Sequence, residues 1–282
     1  MIDLSICIVN WNTEILLKEC LRSIYEQTAG ISYEIFVVDN ASQDGSVEMV
    51  STCFPDVYLI ANQQNKGFAA ANNQALRLAK GRYVILLNPD TVLLGDALET
   101  MVQFMDRHAE AGLTEYKMKT FSFGVVEEVD AVSGAALMVR KKIFDEAGFM
   151  DEGYFMFFED VDLCRRVRLK GYKIYFVPTA AIMHFGGASR HQNLNELVMV
   201  SQKSMMRYVS KFESEKRLLV FKFFYKPLFT GSVIYDLFFD SLYILKYITI
   251  RKNPQKLKKR VMKIQRGLSF LKRDLSYFIL GI

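Results

Sequence analysis

Leu4-Ser5-Ile6-Cys7-Ile8-Val9-Asn10-Trp11-Asn12 opens the chain with an apolar run that ends on amides. Leu4–Val9 is short, apolar on both faces and bounded by polar residues, which predicts a buried strand. Working outward, Glu14–Tyr25 sets Leu17, Leu21, Ile24 and Tyr25 on one helical stripe. Glu34–Val38, Val57–Ile60 and Tyr83–Leu87 repeat the buried-strand pattern, and Phe68–Ala79 reads as a helix with Leu76 and Ala79 facing one way. This alternation predicts an α/β fold with right-handed crossovers and a mainly parallel, helix-flanked sheet. Ala135–Val139 and Lys173–Val177 are further strands. Between them Asp160–Lys170 is a helix ending at Gly171, with Leu163, Cys164 and Val167 inward and Arg165, Arg166 and Arg168 outward.

Ligands of such sheets bind at the carboxyl ends of the strands. Here those ends are polar: Asn10-Trp11-Asn12, Asp39-Asn40-Ala41-Ser42, Asn62-Gln63-Gln64-Asn65-Lys66-Gly67 and Asn88-Pro89-Asp90. Any one of them is explained as a turn. Four in succession at one rim point to a shared polar pocket.

The formal charge of +5 over 282 residues is unevenly divided. From Lys211 onward there are 16 Lys and Arg against 5 Asp and Glu, a balance of +11 that leaves −6 on the remainder. A boundary near residue 210 follows, giving an acidic body over 1–210 and a basic tail over 211–282. In the tail Leu257, Val261, Ile264, Leu268 and Leu271 keep helical spacing among Lys258, Lys259, Arg260, Lys263 and Arg266, an amphipathic basic helix suited to a membrane surface. The competing reading is an appendage that packs on the body or pairs two copies of the chain as a homodimer. Nucleic acid is excluded as a partner, because the acidic body would repel it. No stretch has the roughly 18 uncharged apolar residues of a spanning helix. Pro227 to Ile250 is interrupted by Asp236, Asp240 and Lys246, and no basic segment precedes Ile6–Val9 to make a signal peptide. Cys7, Cys20, Cys53 and Cys164 show no metal-ligand spacing and fit free thiols in a reducing compartment. The expected location is cytoplasmic, at the inner face of the cell membrane.

Three stretches carry chemistry. In Leu87-Asn88-Pro89-Asp90, proline stops the ladder and aims Asp90 at the pocket. One carboxylate with diphosphate oxygens and water suits Mg²⁺ or Mn²⁺, and a simple turn Asp is the alternative. Phe155-Met156-Phe157-Phe158-Glu159-Asp160-Val161-Asp162 leads four large apolar residues into three carboxylates. Apolar surroundings and a like-charged neighbour raise a carboxylate's pKa, whereas a helix N-terminus favours the anion. That balance suits a general base, and an acidic helix cap is the alternative. His184 follows an apolar run and precedes Gly186 and Gly187, as a ligand or as a satisfied core histidine.

Together, Val9-Asn10-Trp11-Asn12, Val38-Asp39-Asn40-Ala41-Ser42, Asn65-Lys66-Gly67-Phe68 with Asn72-Asn73, Leu87-Asn88-Pro89-Asp90, Ser133-Gly134-Ala135, Phe158-Glu159-Asp160-Val161-Asp162-Leu163 and His184-Phe185-Gly186-Gly187 resemble the family 2 inverting glycosyltransferases. Within these the chain is most similar to the rhamnosyltransferase-like branch. The resemblance implies a GT-A fold and a nucleotide-diphosphate sugar donor, dTDP- or UDP-linked, with dTDP-rhamnose the expected one. The implied acceptor is a cell-envelope polysaccharide or a lipid-linked glycan. Asp39 would contact the nucleobase or ribose beside Asn10 and Asn12, with Asn40, Ser42, Asn65, Gly67, Asn72 and Asn88 completing the donor pocket. Asp90 and His184 would hold the divalent metal. Asp160 would be the general base, with Glu159 as its partner, and Ser133, Gly134, Gly186 and Gly187 would lie on the acceptor side. Two departures stand out. Asn88 replaces the first aspartate of the metal motif, and Leu113 to Val129 is short for this fold. A sugar nucleotidyltransferase would need a Gly-rich, basic loop after the first strand, which Asn10-Trp11-Asn12 does not supply. A dehydrogenase would need a Gly-x-Gly-x-x-Gly loop, also missing. Asp90, Asp160 and His184 argue against a catalytically silent membrane-bound scaffold.

Overall fold

The computed structural model describes residues 2–117, 125–186, 194–221 and 223. The chain runs β1 (Leu4–Asn10), α1 (Glu14–Gln27), β2 (Tyr33–Asp39), α2 (Ser46–Cys53), β3 (Tyr58–Ala61), α3 (Phe68–Leu78), β4 (Tyr83–Leu87), β5 (Thr91–Leu94), α4 (Ala97–Arg107) and β6 (Ala111–Lys117). It continues through β7 (Glu127–Glu128), β8 (Ala136–Arg140), α5 (Lys142–Ala147), α6 (Glu159–Leu169), β9 (Lys173–His184) and α7 (Leu194–Phe212).

Among the described residues the strands form one sheet in the order β3-β2-β1-β4-β8-β6-β9-β5, with β7 paired to β9. The first four are parallel, as the alternation predicts. Beyond β4 the sheet is mixed: β8 runs antiparallel to β4 and β6, β9 is parallel to β6, and β5 and β7 are antiparallel to β9. Helices cover both faces. Leu4, Ile6 and Ile8 of β1 pack with Leu17, Leu21 and Ile24 of α1 and Leu98, Met101 and Met105 of α4. Cys7 points the other way, toward Ala71 and Ala75 of α3 and Leu163, Cys164 and Val167 of α6. Period-2 alternation along a doubly covered strand explains why both its faces are apolar.

Several local expectations change. β3 is an edge strand with Tyr58 54% exposed, so that segment is not buried on both faces. On α1, Cys20 takes the inward place expected of Tyr25, which is exposed and stacks on Phe54. β9 runs seven residues past Val177 to reach His184, carrying Pro178 where the pairing with β6 shifts register. Proline lacks the N–H a continuous ladder would use, so a bulge is where it fits.

Arg166 is the largest correction, because it is turned inward rather than outward. Its Nε donates to Asp162 Oδ1 at 2.6 Å, and Asp162 is completely buried. Tyr154 Oη donates to the other Asp162 oxygen at 3.2 Å. The rest of the guanidinium donates to the carbonyls of Ala147, Gly148 and Phe149. One fork therefore satisfies a buried carboxylate and the end of α5 together.

The described residues divide into two compact units at Met205/Met206. The described part of the second unit has Tyr208 and Phe212 rings 5.0 Å apart and a Glu213–Arg217 ion pair. The stripe from Leu257 to Leu271, the run Pro227 to Ile250 and Gly187 lie outside the described residues, as does most of the short segment after Leu113. Among the described residues, no helix is long and apolar enough to cross a membrane.

Arg166→Met strands a buried carboxylate and should lower the unfolding free energy by about 3 kcal/mol in urea denaturation. A loss below roughly 1 kcal/mol, the range of an exposed ion pair, would contradict this role.

Candidate active site

The site is built on the carboxyl ends of the parallel strands. Asn10 and Asp39 are register partners on β1 and β2, and both are buried. Asn10 Nδ2 donates to Asp39 Oδ1 at 2.9 Å and to Ser42 Oγ at 3.1 Å. Ser42 N donates to Asp39 Oδ2 at 2.8 Å, and Asn12 N donates to Ser42 Oγ at 2.9 Å. Thr13 Oγ1 closes the set on Asn10 Oδ1 at 2.6 Å. Nearly every polar atom here has a partner, so the cluster is stiff.

A second network joins it through the neighbouring turn. Asn40 Nδ2 donates to Asn65 Oδ1 at 2.8 Å and to the Gly67 carbonyl at 3.2 Å. Lys66 N returns to Asn40 Oδ1 at 3.0 Å. Gly67 has φ +82°, and a Cβ there would stand 2.5 Å from the Phe155 carbonyl oxygen. Only glycine fits that position. Phe68 N uses the same carbonyl, donating to it at 2.6 Å, so α3 is clamped to the loop before α6.

Asn88 and Asp90 follow β4, and His184 ends β9, whose register partner on β5 is Thr91. His184 Nε2 lies 3.1 Å from Asp90 Oδ1 and 3.3 Å from Asn88 Nδ2. An unprotonated Nε2 accepts from Asn88 and then faces the carboxylate lone pair to lone pair, an arrangement a shared cation relieves. Adjacent ligands of an octahedral ion at about 2.1–2.2 Å stand about 3 Å apart. The pair therefore fits two positions of such an ion. Among the described residues no three His, Cys, Asp or Glu side chains gather closely enough to hold a metal. The remaining ligands would come from the substrate and water.

Asp160 and Glu159 begin α6. Phe157 and Phe158, just ahead of them, have φ +69° and +67°. The other non-glycine residues with left-handed φ among those described are Asn12 and Ala41, on the first network. Such conformations are held only where surrounding structure fixes them, and they concentrate at functional sites. Gly134 N donates to Asp160 Oδ2 at 2.9 Å and Val161 N to Oδ1 at 2.8 Å. Burial pushes the Asp160 carboxyl above its ordinary range, and these N–H groups partly oppose it. Glu159 is buried, and its Oε2 has no hydrogen-bond partner. Burial first, and then the Asp160 charge, push it up to about 8. At neutral pH the pair therefore carries its charge on Asp160.

Asn65, Asn88, Asp90, Ser133, Gly134, Glu159, Asp160, His184 and Gly186 line one cavity of about 390 Å³ with Val9, Trp11, Phe68, Met156 and Phe157. Asn10, Asn12, Asp39, Asn40, Ser42 and Gly67 stand behind or beside that wall in the two networks. Asn72 is buried in α3 and donates to the Phe68 carbonyl at 3.0 Å, apart from the lining. The structure adds Glu115, on β6, which sequence reading does not single out. Burial and then the Asp160 charge push it up to about 7, against the Ser133 N–H and His184. Its one sequence signal is an acidic residue in the strand Ala111-Gly112-Leu113-Thr114-Glu115.

Comparison with known proteins gives the following. The Glycosyl transferase family 2 model matches residues 5–164. The low-salt glycan biosynthesis hexosyltransferase Agl10 of Haloferax volcanii is 25% identical over 204 residues, 61% of this chain and 64% of its own length. The rhamnosyltransferase WbbL of Escherichia coli is 25% identical over 194 residues, 54% of this chain and 72% of its own. The chain thus spans less than two thirds of the archaeal relative. Among solved structures, S. aureus TarS 1-349 in complex with UDP-GlcNAc superimposes with a TM-score of 0.55 at 18% identity, over 77% of this chain and 69% of that one. The fold is GT-A.

Glu159 favours its protonated form when folded, so its contribution to stability is complete below about pH 4.5 and is lost as pH rises toward 8. Glu159→Gln should flatten the decline of Tm with pH between about pH 5 and pH 8. Parallel profiles for the two proteins would contradict the assigned shift.

Proposed function

The chain belongs to glycosyl transferase family 2, and from that premise we propose that it moves a sugar from a nucleotide-diphosphate donor to an acceptor hydroxyl. Transfer is a single displacement that inverts the anomeric carbon. The observation that carries this reading is Asp160, a carboxylate made more basic by burial and aimed by two backbone N–H groups into a cavity shared with Asp90 and His184. Asp160 takes the proton of the attacking hydroxyl, the office of a general base whose pKa lies nearer neutrality. Glu159, held neutral beside it, adds no second charge. Asp39 and Asn10 receive the nucleoside, with Asn12, Asn40 and Ser42 stiffening that end. Asn65 and Asn88 face the rest of the donor, with Gly67 beside them and Asn72 supporting them from within α3. Ser133, Gly134 and Gly186 form the acceptor side.

Asp90 and His184 would hold Mg²⁺ or Mn²⁺, which supplies electrostatic stabilisation of the departing diphosphate. The donor class is supported by UDP-GlcNAc in TarS, a chain of the same fold. Rhamnose from dTDP-rhamnose is the sugar we favour, supported by the similarity to WbbL and by the motif pattern with Asn88. The acceptor is a cell-envelope polysaccharide or a lipid-linked glycan. The +11 balance beyond residue 210 supports attachment of the tail to the inner membrane surface, with self-association of the tail as the competing use.

Asp160→Asn should leave donor affinity near wild type while turnover falls roughly 10²–10⁴-fold; wild-type turnover would remove Asp160 from the chemistry. In calorimetry, Mn²⁺ should tighten dTDP binding to the wild type and fail to do so in His184→Ala. Coupling that persists in the variant would remove His184 as a ligand.

A further inference from the structure

Thr91 opens β5 directly after Asp90, is buried, and stands apart from the cavity lining. Its hydroxyl donates to the Asn88 carbonyl at 2.7 Å, a bond that reaches back over Pro89 and Asp90. The Cys20 thiol of α1 lies under both groups, 3.5 Å from the hydroxyl oxygen and 3.8 Å from the carbonyl oxygen. A threonine hydroxyl bonded three residues back along its own chain holds local backbone. What it holds here is the turn that carries Asp90. Proline fixes φ at position 89. Asn88 N donates to the Ala135 carbonyl at 2.8 Å, and Phe185 N donates to the Asp90 carbonyl at 3.0 Å. The Thr91 hydroxyl closes the remaining side by joining the last residue of the turn to its first. The same threonine is the register partner of His184. One residue thus serves both members of the pair that stand 3.1 Å apart, His184 through backbone pairing and Asp90 through its side chain.

We propose that Thr91 is a positioning residue for the Asp90–His184 pair, its hydroxyl holding the Asn88–Asp90 turn so that carboxylate and imidazole reach one ion. The proposal rests on the reading of that pair as the metal site. Threonine suits the task because its branched Cβ leaves few χ1 states. Valine keeps that shape and deletes the donor, which leaves the Asn88 carbonyl short of a partner. Serine keeps the donor and loosens the rotamer. Ser23 offers a comparison on the same wall: its Oγ accepts from Leu93 N of β5 at 3.1 Å and donates to the Cys20 carbonyl at 2.8 Å, without touching the turn.

The test is calorimetric titration of dTDP into the full-length protein with and without Mn²⁺, well below the Tm of every variant. Mn²⁺ should tighten dTDP binding to the wild type. Thr91→Val should raise the dTDP Kd in Mn²⁺ about 10-fold, the lower end of the cost of losing a partner behind a metal ligand. Its Kd without metal should match the wild type. Thr91→Ser should recover most of the metal-dependent affinity. Ser23→Ala should lower Tm, as any lost buried hydroxyl does, and keep the full effect of Mn²⁺. An effect of Mn²⁺ that is lost equally in Thr91→Ser or in Ser23→Ala overturns the proposal, because loosening alone would then explain it. So does a loss in Thr91→Val that is already complete without metal. A wild type indifferent to Mn²⁺ overturns the metal-site reading and this proposal together. A responsive wild type beside an equally responsive Thr91→Val overturns the proposal alone.

Discussion

Glu159 and Asp160 are withdrawn from water at the first turn of α6, and the surrounding elements are arranged around the cost of doing so. Burial pushes both carboxyls above their ordinary range. The N–H groups of Gly134 and Val161 hold Asp160 as the anion, while Glu159, with one oxygen unpartnered, keeps the proton. Reaching this geometry requires two successive aromatic residues in left-handed conformation, a strain of order 1–2 kcal/mol each. That strain persists because the loop is clamped on both sides. The Phe155 carbonyl accepts from Phe68 N at the start of α3 beside Gly67, and Ser204 of α7 donates to the Met156 carbonyl at 2.8 Å. The buried Asp162–Arg166 pair then fixes α6 to the loop after α5.

The opposite wall follows a different logic. Parallel strands end in step, so β1 and β2 deliver Asn10 and Asp39 side by side without any special loop. Amides and hydroxyls then saturate one another's donors and acceptors, which fixes side chains that would otherwise rotate freely. A ligand docking against that network would meet a preformed surface, and a preorganised surface loses less entropy on binding. Between the walls, Asp90 and His184 come from strand ends 94 residues apart in the chain, brought together by the antiparallel pairing of β5 and β9.

Much of this was legible in the sequence, because parallel-strand ends and helix starts are local signals. Leu4–Val9 followed by Asn10 announces both a strand and a rim residue, and Phe158-Glu159-Asp160 announces a helix start with unusual surroundings. Other features were hidden because they depend on distant partners. Arg166 looks like a solvent-facing residue by helical spacing, yet the carbonyls of Ala147, Gly148 and Phe149 draw it inward. Asn72 has the composition of a pocket residue, but helix geometry spends its amide on Phe68. β5 has only four residues and gains its pairing from the far end of β9, so periodicity could not announce it. Glu115 is one acidic residue in a short strand, and only the sheet brings it to Ser133 and Asp160.

Donor binding is assigned to one cavity, between the Asn65 and Asn88 wall backed by the Asn10–Asp39 network and the Asp160 carboxylate. A crystal structure of the protein with dTDP and Mn²⁺ tests it most directly. The expected map shows the base beside Asp39, the diphosphate and ion against Asp90 and His184, and Asp160 facing open space beyond the terminal phosphate where sugar and acceptor would meet. A nucleotide bound away from this cavity, or one whose phosphates point away from Asp90 and Asp160, would contradict it.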